Sequence, residues 1–483
     1  MKYDYIVIGA GAAGLSFAAL MEKKGHSVLI LEAHSIPGGC SSYFSRDGFI
    51  FDAGATTLSG LLPGRPLAEL IAELNLDLNL VPVNPGLVSM FEGQTINRYR
   101  NTQEWVSELT KHFPNINHKI IWEKFKKIEV EGWNISTIFK KIPLRKINAL
   151  FSFFRPELIK ALFTLPTLFK SVESELNKHK IQDEKYLALV NELLFITSQN
   201  NAKDTPLLMG AMGLCYPEDT AYAMGGMKAF SESLAKKCTN IKYKQLVKKV
   251  IPIKKGSDGF IIETGKETFS AKRVVSTIPF WNHTDMFEAD TAQEFFQTDK
   301  VTDPDKCWSA FMIYLTIPLD KERVGQYFQV HCKKILHCNT HSYFVSLSHP
   351  DDEIRSINGR QTVTISTHTH TKEWLSLGRE DYLKQKERVK KFILNDLQQK
   401  FNLQESDLQN VFTGSPKTFY NYTKRYRGLV GGIPQSLKRN PLDLIIAKSP
   451  YKNFYMIGDT QYPGQGIAAV IMGAQNLVDQ LSD

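Results

Sequence analysis

The residues with the strongest chemical implication lie near the start of the chain. Gly9, Gly11 and Gly14 (GAGAAG) follow the β-branched apolar run YDYIVI, and Glu32 closes a second apolar run, SVLIL at 27–31. The first glycine permits a tight turn off a strand. The second lets backbone approach a diphosphate with no Cβ in the way, and the third lets a helix pack closely on the strand. The positive end of that helix then faces the phosphates, and Glu32 can accept hydrogen bonds from a ribose. A bare GxGxxG often falls in an unrelated glycine turn. Here strand, helix, second strand and terminal acid are all in place, which points to a dinucleotide site rather than a plain βαβ unit.

Pro37-Gly38-Gly39-Cys40-Ser41-Ser42 follows the acid after four residues and suggests a second close approach of backbone to the cofactor. FIFDAGATT at 49–57 reads as strand, then loop. At the far end, NFYMI at 453–457 reads as a strand ending in Gly458-Asp459. Pro463-Gly464-Gln465-Gly466 then leads into a small-residue helix from Ile467.

Glu32, the Gly38-Gly39 pair, DGFIFDAGATTLSG at 47–60 and the closing Gly458-Asp459 resemble the FAD-dependent phytoene desaturase, carotenoid isomerase and retinol saturase superfamily. That group is part of the amine-oxidase-like flavoproteins. PGQG at 463–466, FDAGATTLSG, and GSPKTFYNYTKRYRGLVGG at 414–432 look closest to its carotenoid isomerase and retinol saturase branch. The resemblance also takes in AMGGM at 223–227 and AKRVVSTIP at 271–279, and is weak between about 100 and 207.

The resemblance implies an α/β fold: a Rossmann-like FAD-binding domain with an inserted α+β substrate domain. It implies FAD contacts at Gly9, Gly11, Ala12, Ala13, Gly14, Glu32, Ala33, Gly38, Gly39, Cys40 and Ser41. Further contacts fall at Gly54, Ala55, Thr56, Val247, Gly458, Asp459, Gln465, Gly466 and Ile467. Asp459 is placed at the ribityl or pyrophosphate region. The amides near Gly466 and Ile467 face the flavin N1–C2=O edge, where a helix N-terminus favours negative charge. Most relatives carry an arginine after the glycine pair where this chain has Cys40, which leaves only backbone contacts expected there.

The implied activity is saturation, desaturation or isomerisation of carbon–carbon double bonds in a long apolar polyene or isoprenoid lipid, a carotenoid- or retinoid-like molecule. Such chemistry needs few polar side chains, and no triad or carboxylate pair is evident. Tyr462 and Thr56 are the candidate proton donors, each weighed against ordinary packing or cofactor contact. No second strand–GxGxxG–helix unit exists, so an external electron donor or acceptor is expected. The competing classes are a flavin amine oxidase and a non-enzymatic prenyl-lipid-binding protein of the same fold.

These residues must be brought together across 483 positions, enough chain for two or three domains' worth of core. The FAD domain is expected to be discontinuous, from 1–85, 215–279 and 416–483. Residues 86–214, mostly helical in pattern, and 280–415, with β-rich runs and a charged helix from about Arg379 to Lys400, form the substrate domain. His368 and His370 in THTHT lie on one face of a strand, but two histidines without a third ligand predict no metal site.

Six scattered cysteines without a CxxC pair, and no cationic leader, read as a reduced, cytoplasmic protein. No apolar run is long enough to span a bilayer. The net charge is +9, and residues 119–170 carry eleven cations against four acids. Trp122, Phe125, Trp133, Phe151, Phe163 and Phe169 interleave with those cations. This reads as a peripheral membrane surface at the inner face, or else a lid with a solvated basic face. It is too greasy for nucleic acid.

Overall fold

The computed structural model describes residues 2–138, 164–253, 259–297, 303–439 and 449–482. Strand β1 (Tyr3–Ile8) pairs in parallel with β2 (Val28–Leu31) on one side and with Thr268–Ser276 on the other. Ile241–Lys242 extends the sheet beyond β2, and Phe454–Met456 pairs in parallel with Thr268–Ser276. An antiparallel hairpin, Val247–Pro252 with Phe260–Thr264, completes it.

The apolar runs explain this placement. Tyr5 to Ile8 and Val28 to Leu31 are all buried, as residues in a parallel sheet covered on both faces must be. Helix α1 (Ala12–Lys23) connects β1 to β2 and is buried from Ala12 to Met21. It shares one core with the helix Ile467–Ser482. The two ends of the chain therefore build a single layer, and the fold is α/β.

A second, antiparallel-rich sheet holds Gln409–Gly414, Ser309–Pro318, Arg360–Thr369, Thr340–Leu347, Tyr327–Ile335, Leu87–Phe91 and Gln94–Arg98 in that spatial order. Its side chains alternate cleanly. Phe311, Ile313, Leu315, Val363 and Ile365 fill the back. Met312, Tyr314, Ser366 and His368 stand on the front. The helix Arg379–Phe401 covers the back with Gln385, Val389, Ile393, Leu397 and Phe401, one stripe at steps of four.

The stretch after residue 86 is not purely helical. It opens with the hairpin Leu87–Phe91 and Gln94–Arg98, whose Val88 pairs with Phe328 in the other insertion. A partner that remote leaves no local periodicity to read.

The helices Thr102–His112, His118–Ile138, Glu184–Ser198 and Leu207–Cys215 close over a core of their own. This corrects part of the membrane-facing expectation. Trp122 and Phe125 are 1% and 0% exposed, and the Trp122 indole donates to the Tyr186 hydroxyl at 2.9 Å. Lys124 pairs with Glu175, and Lys126 with Glu218 at 2.8 Å. An amphipathic helix that buries its aromatic stripe against protein has the same interleaved composition as one that buries it in lipid. Leu165 and Phe169 do remain exposed, at 42% and 66%. Residues 139–163 lie outside the described residues. Among the described residues, no helix is long and apolar enough to cross a membrane.

Candidate functional site

A cavity of about 2020 Å³ runs from the end of β1 to the front of the second sheet. That is well beyond the roughly 300–1,000 Å³ of an ordinary small-ligand pocket, and leaves room for a dinucleotide and a second molecule.

One end of the cavity is made of glycine backbone. Gly9 sits at φ +101°, open to glycine alone, and a Cβ there would lie 2.7 Å from Thr277 Oγ1. Gly14 is pressed beneath the turn: a Cβ would stand 2.1 Å from the Gly9 carbonyl oxygen. Gly11 differs from both. Its φ is −76°, and the nearest protein atom to an added Cβ is the Gly38 carbonyl oxygen at 4.0 Å. Nothing in the protein demands a glycine at 11, so the missing side chain leaves space for a ligand.

The glycine pair faces this turn. The Gly38 N–H donates to the Ala10 carbonyl at 2.8 Å, and a Cβ on Gly39 would lie 3.3 Å from the Gly11 Cα. The next turn is locked to the loop after strand Phe49–Asp52. The Ala53 N–H donates to Ser42, and the Ala55 N–H to Cys40, each at 2.9 Å. Glu32 is fixed by two backbone donors, Ala10 on Oε2 and His34 on Oε1, both at 2.7 Å. A carboxylate oxygen accepts more than one hydrogen bond, so Glu32 keeps acceptor capacity on both oxygens.

Asp459 closes this end. Its Oδ2 takes a 2.6 Å ion pair from Arg425, whose Nε donates to the Leu429 carbonyl at 2.6 Å. The other oxygen, Oδ1, is buried without any donor among the described residues. Burial works against the charge on Arg425, but Asp459 more than restores it and raises its pKa. Burial pushes the nearby Cys40 thiol up, against the pull of Arg425.

The geometry fits a flavin dinucleotide. An open glycine turn at a helix N-terminus would receive the diphosphate, and Glu32 a ribose. The orphaned Asp459 oxygen would receive a sugar hydroxyl.

Arg425→Met leaves the Asp459 carboxylate buried and unpaired. The expected result is a ten- to hundredfold (about 1.4–2.7 kcal/mol) loss of FAD affinity, read by fluorescence titration of the apoprotein. An unchanged Kd would remove Arg425 from the site.

The structure brings nearly all the expected cofactor residues to this cavity. Gly9, Gly11, Ala12, Ala13, Glu32, Ala33, Gly38, Gly39, Cys40, Ser41, Gly54, Ala55, Thr56, Val247, Gly458, Asp459, Gln465, Gly466 and Ile467 all line it. Gly14 lies beneath the turn instead. Of the two candidate proton donors, Tyr462 is not in the lining, and burial pushes its phenol up to about 12. Thr56 lines the cavity, but its hydroxyl already pairs with Ser346 Oγ at 2.6 Å.

The other end of the cavity is a chamber. Tyr314, Tyr327, Phe344 and Met312 face it from the sheet, and Leu193, Ile196, Met209, Met212 and Trp133 from the helices. The acidic liners are Glu32, Asp285 and Asp459, none of them on the sheet front or these helices. Arg425 and His368 line the cavity as well, and neither was picked out for it from the sequence. Arg425 meets a partner 34 positions away, which no local pattern announces. His368 carried a signal, since the alternation of THTHT sets both histidines on one face. His370 instead stacks on Trp308 at 4.1 Å. Among the described residues, no three metal-ligating side chains gather.

The model of the flavin containing amine oxidoreductase family matches residues 12–481. A prolycopene isomerase of Daucus carota is 28% identical over 97% of this chain and 78% of its own. An all-trans-retinol 13,14-reductase of Danio rerio is 34% identical over a shorter stretch, 23% of this chain and 19% of its own. A solved structure of a putrescine oxidase variant superposes with a TM-score of 0.65 at 15% identity, covering 100% of this chain and 99% of that one. At that identity the likeness speaks for the fold alone.

Proposed function

The chain belongs to the flavin containing amine oxidoreductase family, and from that premise we propose that it is a FAD-dependent enzyme acting on carbon–carbon double bonds of a long apolar polyene of the carotenoid or retinoid kind. One observation carries the reading: a single cavity joins the glycine turn to a chamber walled by planar and aliphatic side chains. The similarity to prolycopene isomerase over almost the whole chain supports it.

FAD, when bound, supplies hydride transfer at the ring. The chain's own residues supply the rest. Gly11 and the start of α1 would hold the diphosphate, with Glu32 and Asp459 on the sugars. Gly466 and Ile467, at the N-terminus of Ile467–Ser482, favour negative charge at the ring. Tyr314, Tyr327 and Phe344 position a flat polyene, and the Leu193 and Ile196 side of the chamber excludes water. Taking that polyene out of water is favourable by roughly 25 cal/mol per Å² of apolar surface. Among the described residues, no carboxylate lines the sheet front or the Glu184–Ser198 face, and Glu192 of that helix is engaged by Gln329 Nε2 at 3.0 Å, which favours the polyene over amine oxidation.

The test is anaerobic incubation of the yellow, oxidised holoenzyme and, separately, of the bleached, reduced holoenzyme with retinoids, carotenes and unsaturated lipids, followed by chromatography and mass spectrometry. Gain of two hydrogens with the reduced enzyme assigns saturation, loss of two with the oxidised enzyme, whose flavin accepts them, assigns desaturation, and unchanged mass with a new chromatographic peak assigns isomerisation. A holoenzyme that converts none of them sinks the proposal.

We also propose a peripheral membrane contact through the exposed side chains of Leu165 and Phe169. Flotation with anionic liposomes should carry the protein upward. Equal recovery with and without lipid removes this idea.

A further inference from the structure

On the sheet front, the chamber is walled by more than hydrocarbon. His368 sits there opposite Ala310 and two residues along from Ser366. Its imidazole is held on two sides, with its centroid 4.4 Å from Phe195 and 5.8 Å from Trp308. The other buried imidazoles show what a structural histidine does. His283 uses both nitrogens, on the Phe280 carbonyl and on Ser276 Oγ, and His118 uses Nε2 on the Phe113 carbonyl, with Nδ1 unpartnered among the described residues. No hydrogen bond among the described residues reaches either nitrogen of His368, yet neither is sealed away.

A second unpartnered group lines the same cavity. Gln199 is 6% exposed, and its Oε1 has no donor among the described residues. Its main-chain carbonyl accepts the Trp308 indole N–H at 3.1 Å, and His368 packs against the same indole. This end of the chamber also adjoins Gln465, one of the residues that would hold the flavin. A Cβ on Gly431 would touch the Gln199 amide, and Gln465 donates to the Thr197 carbonyl at 2.6 Å.

We propose that His368 and Gln199 form a subsite for an uncharged hydroxyl on the substrate, so that the preferred polyene is an alcohol rather than a plain hydrocarbon. A hydroxyl both donates and accepts, and the subsite offers an imidazole with both roles free beside an orphaned amide oxygen. A carboxylate fits worse. Burial, then His370, lowers the His368 pKa to about 4, so the ring is neutral near pH 7. The cavity-lining residues of the sheet front and of Glu184–Ser198 include no cation. The inference rests on the polyene reading of the chamber and adds the oxygen function to it.

The test is equilibrium binding to the FAD-loaded protein of retinol, its methyl ether, its carboxylic acid and its deoxygenated hydrocarbon. Retinol should bind about tenfold more tightly than the hydrocarbon, the worth of a buried hydrogen bond against two unsatisfied groups. The ether, lacking the donor, should fall between them, and the acid should bind more weakly than retinol. In His368→Phe the alcohol and the hydrocarbon should bind alike, and in His368→Gln part of the preference should return.

Equal wild-type binding of alcohol and hydrocarbon, tighter binding of the acid, or a preference that survives in His368→Phe overturns the subsite. If wild-type discrimination is absent while flavin-linked conversion persists, only the subsite falls. If discrimination is present without any conversion, the catalytic reading falls and the subsite stands. Binding of none of the probes overturns both.

Discussion

Gly11→Val should give a folded but colourless protein. The valine Cβ meets nothing in the chain nearer than the Gly38 carbonyl oxygen at 4.0 Å, and the backbone at 11 is one any residue adopts. Stability of the apoprotein should therefore stay within about 0.5 kcal/mol of wild type. The side chain instead occupies the approach of the diphosphate, and FAD affinity should fall at least about a hundredfold, some 2.7 kcal/mol. Flavin absorbance after purification and a titration of the apoprotein read the two effects separately. Gly14→Ala is the control, because its Cβ would lie 2.1 Å from the Gly9 carbonyl oxygen. It should unsettle the β1–α1 turn itself, lowering apoprotein stability as well as flavin content. Retained flavin in Gly11→Val would mean that the diphosphate lies elsewhere.

The second large effect is expected at Arg355→Met. Arg355 and Asp52 are each 2% exposed at the side chain and pair at 2.8 Å. Asp52 also takes the Met227 N–H at 2.8 Å, and Arg355 reaches the Tyr222 hydroxyl at 3.0 Å. Burial raises the Asp52 pKa, and Arg355 pulls it back. With the guanidinium gone, a carboxylate is left buried and unpaired, which typically costs about 3–5 kcal/mol. The damage should spread to the cofactor, since Asp52 begins the loop that carries Gly54, Ala55 and Thr56. Denaturant unfolding and flavin retention should both drop. Adding Asp52→Asn to Arg355→Met removes the stranded charge and should recover a large part of the loss. If the single variant matches wild type in both measurements, the pair does not tie the loop to the second sheet.

The parts of the site that could be read from sequence are those that chemistry ties to local spacing. The turn from Gly9 to Gly14 and the acid at Glu32 are written within one βαβ unit, so their types and intervals alone imply what they hold. The stripe from Gln385 to Phe401 is legible for the same reason, since steps of four mark one helix face. Arg425 is not legible, because its meaning depends on Asp459 across the fold. Nor was the inward turn of Trp122 and Phe125, which is decided by a partner, Tyr186, on another helix. His368 is legible only in part. The alternation placed it correctly on a face, but only the second sheet's register shows that this face looks into the cavity.

The order of synthesis gives the sheet topology one more consequence. β1 and β2 leave the ribosome early, yet the strand Phe454–Met456 and Asp459 emerge only after every element they join. A nascent chain can form the glycine turn but not the wall opposite it. Holoprotein assembly must therefore wait until translation has passed the 450s. A message cut short before that point should yield a polypeptide that never colours, however well its first half folds.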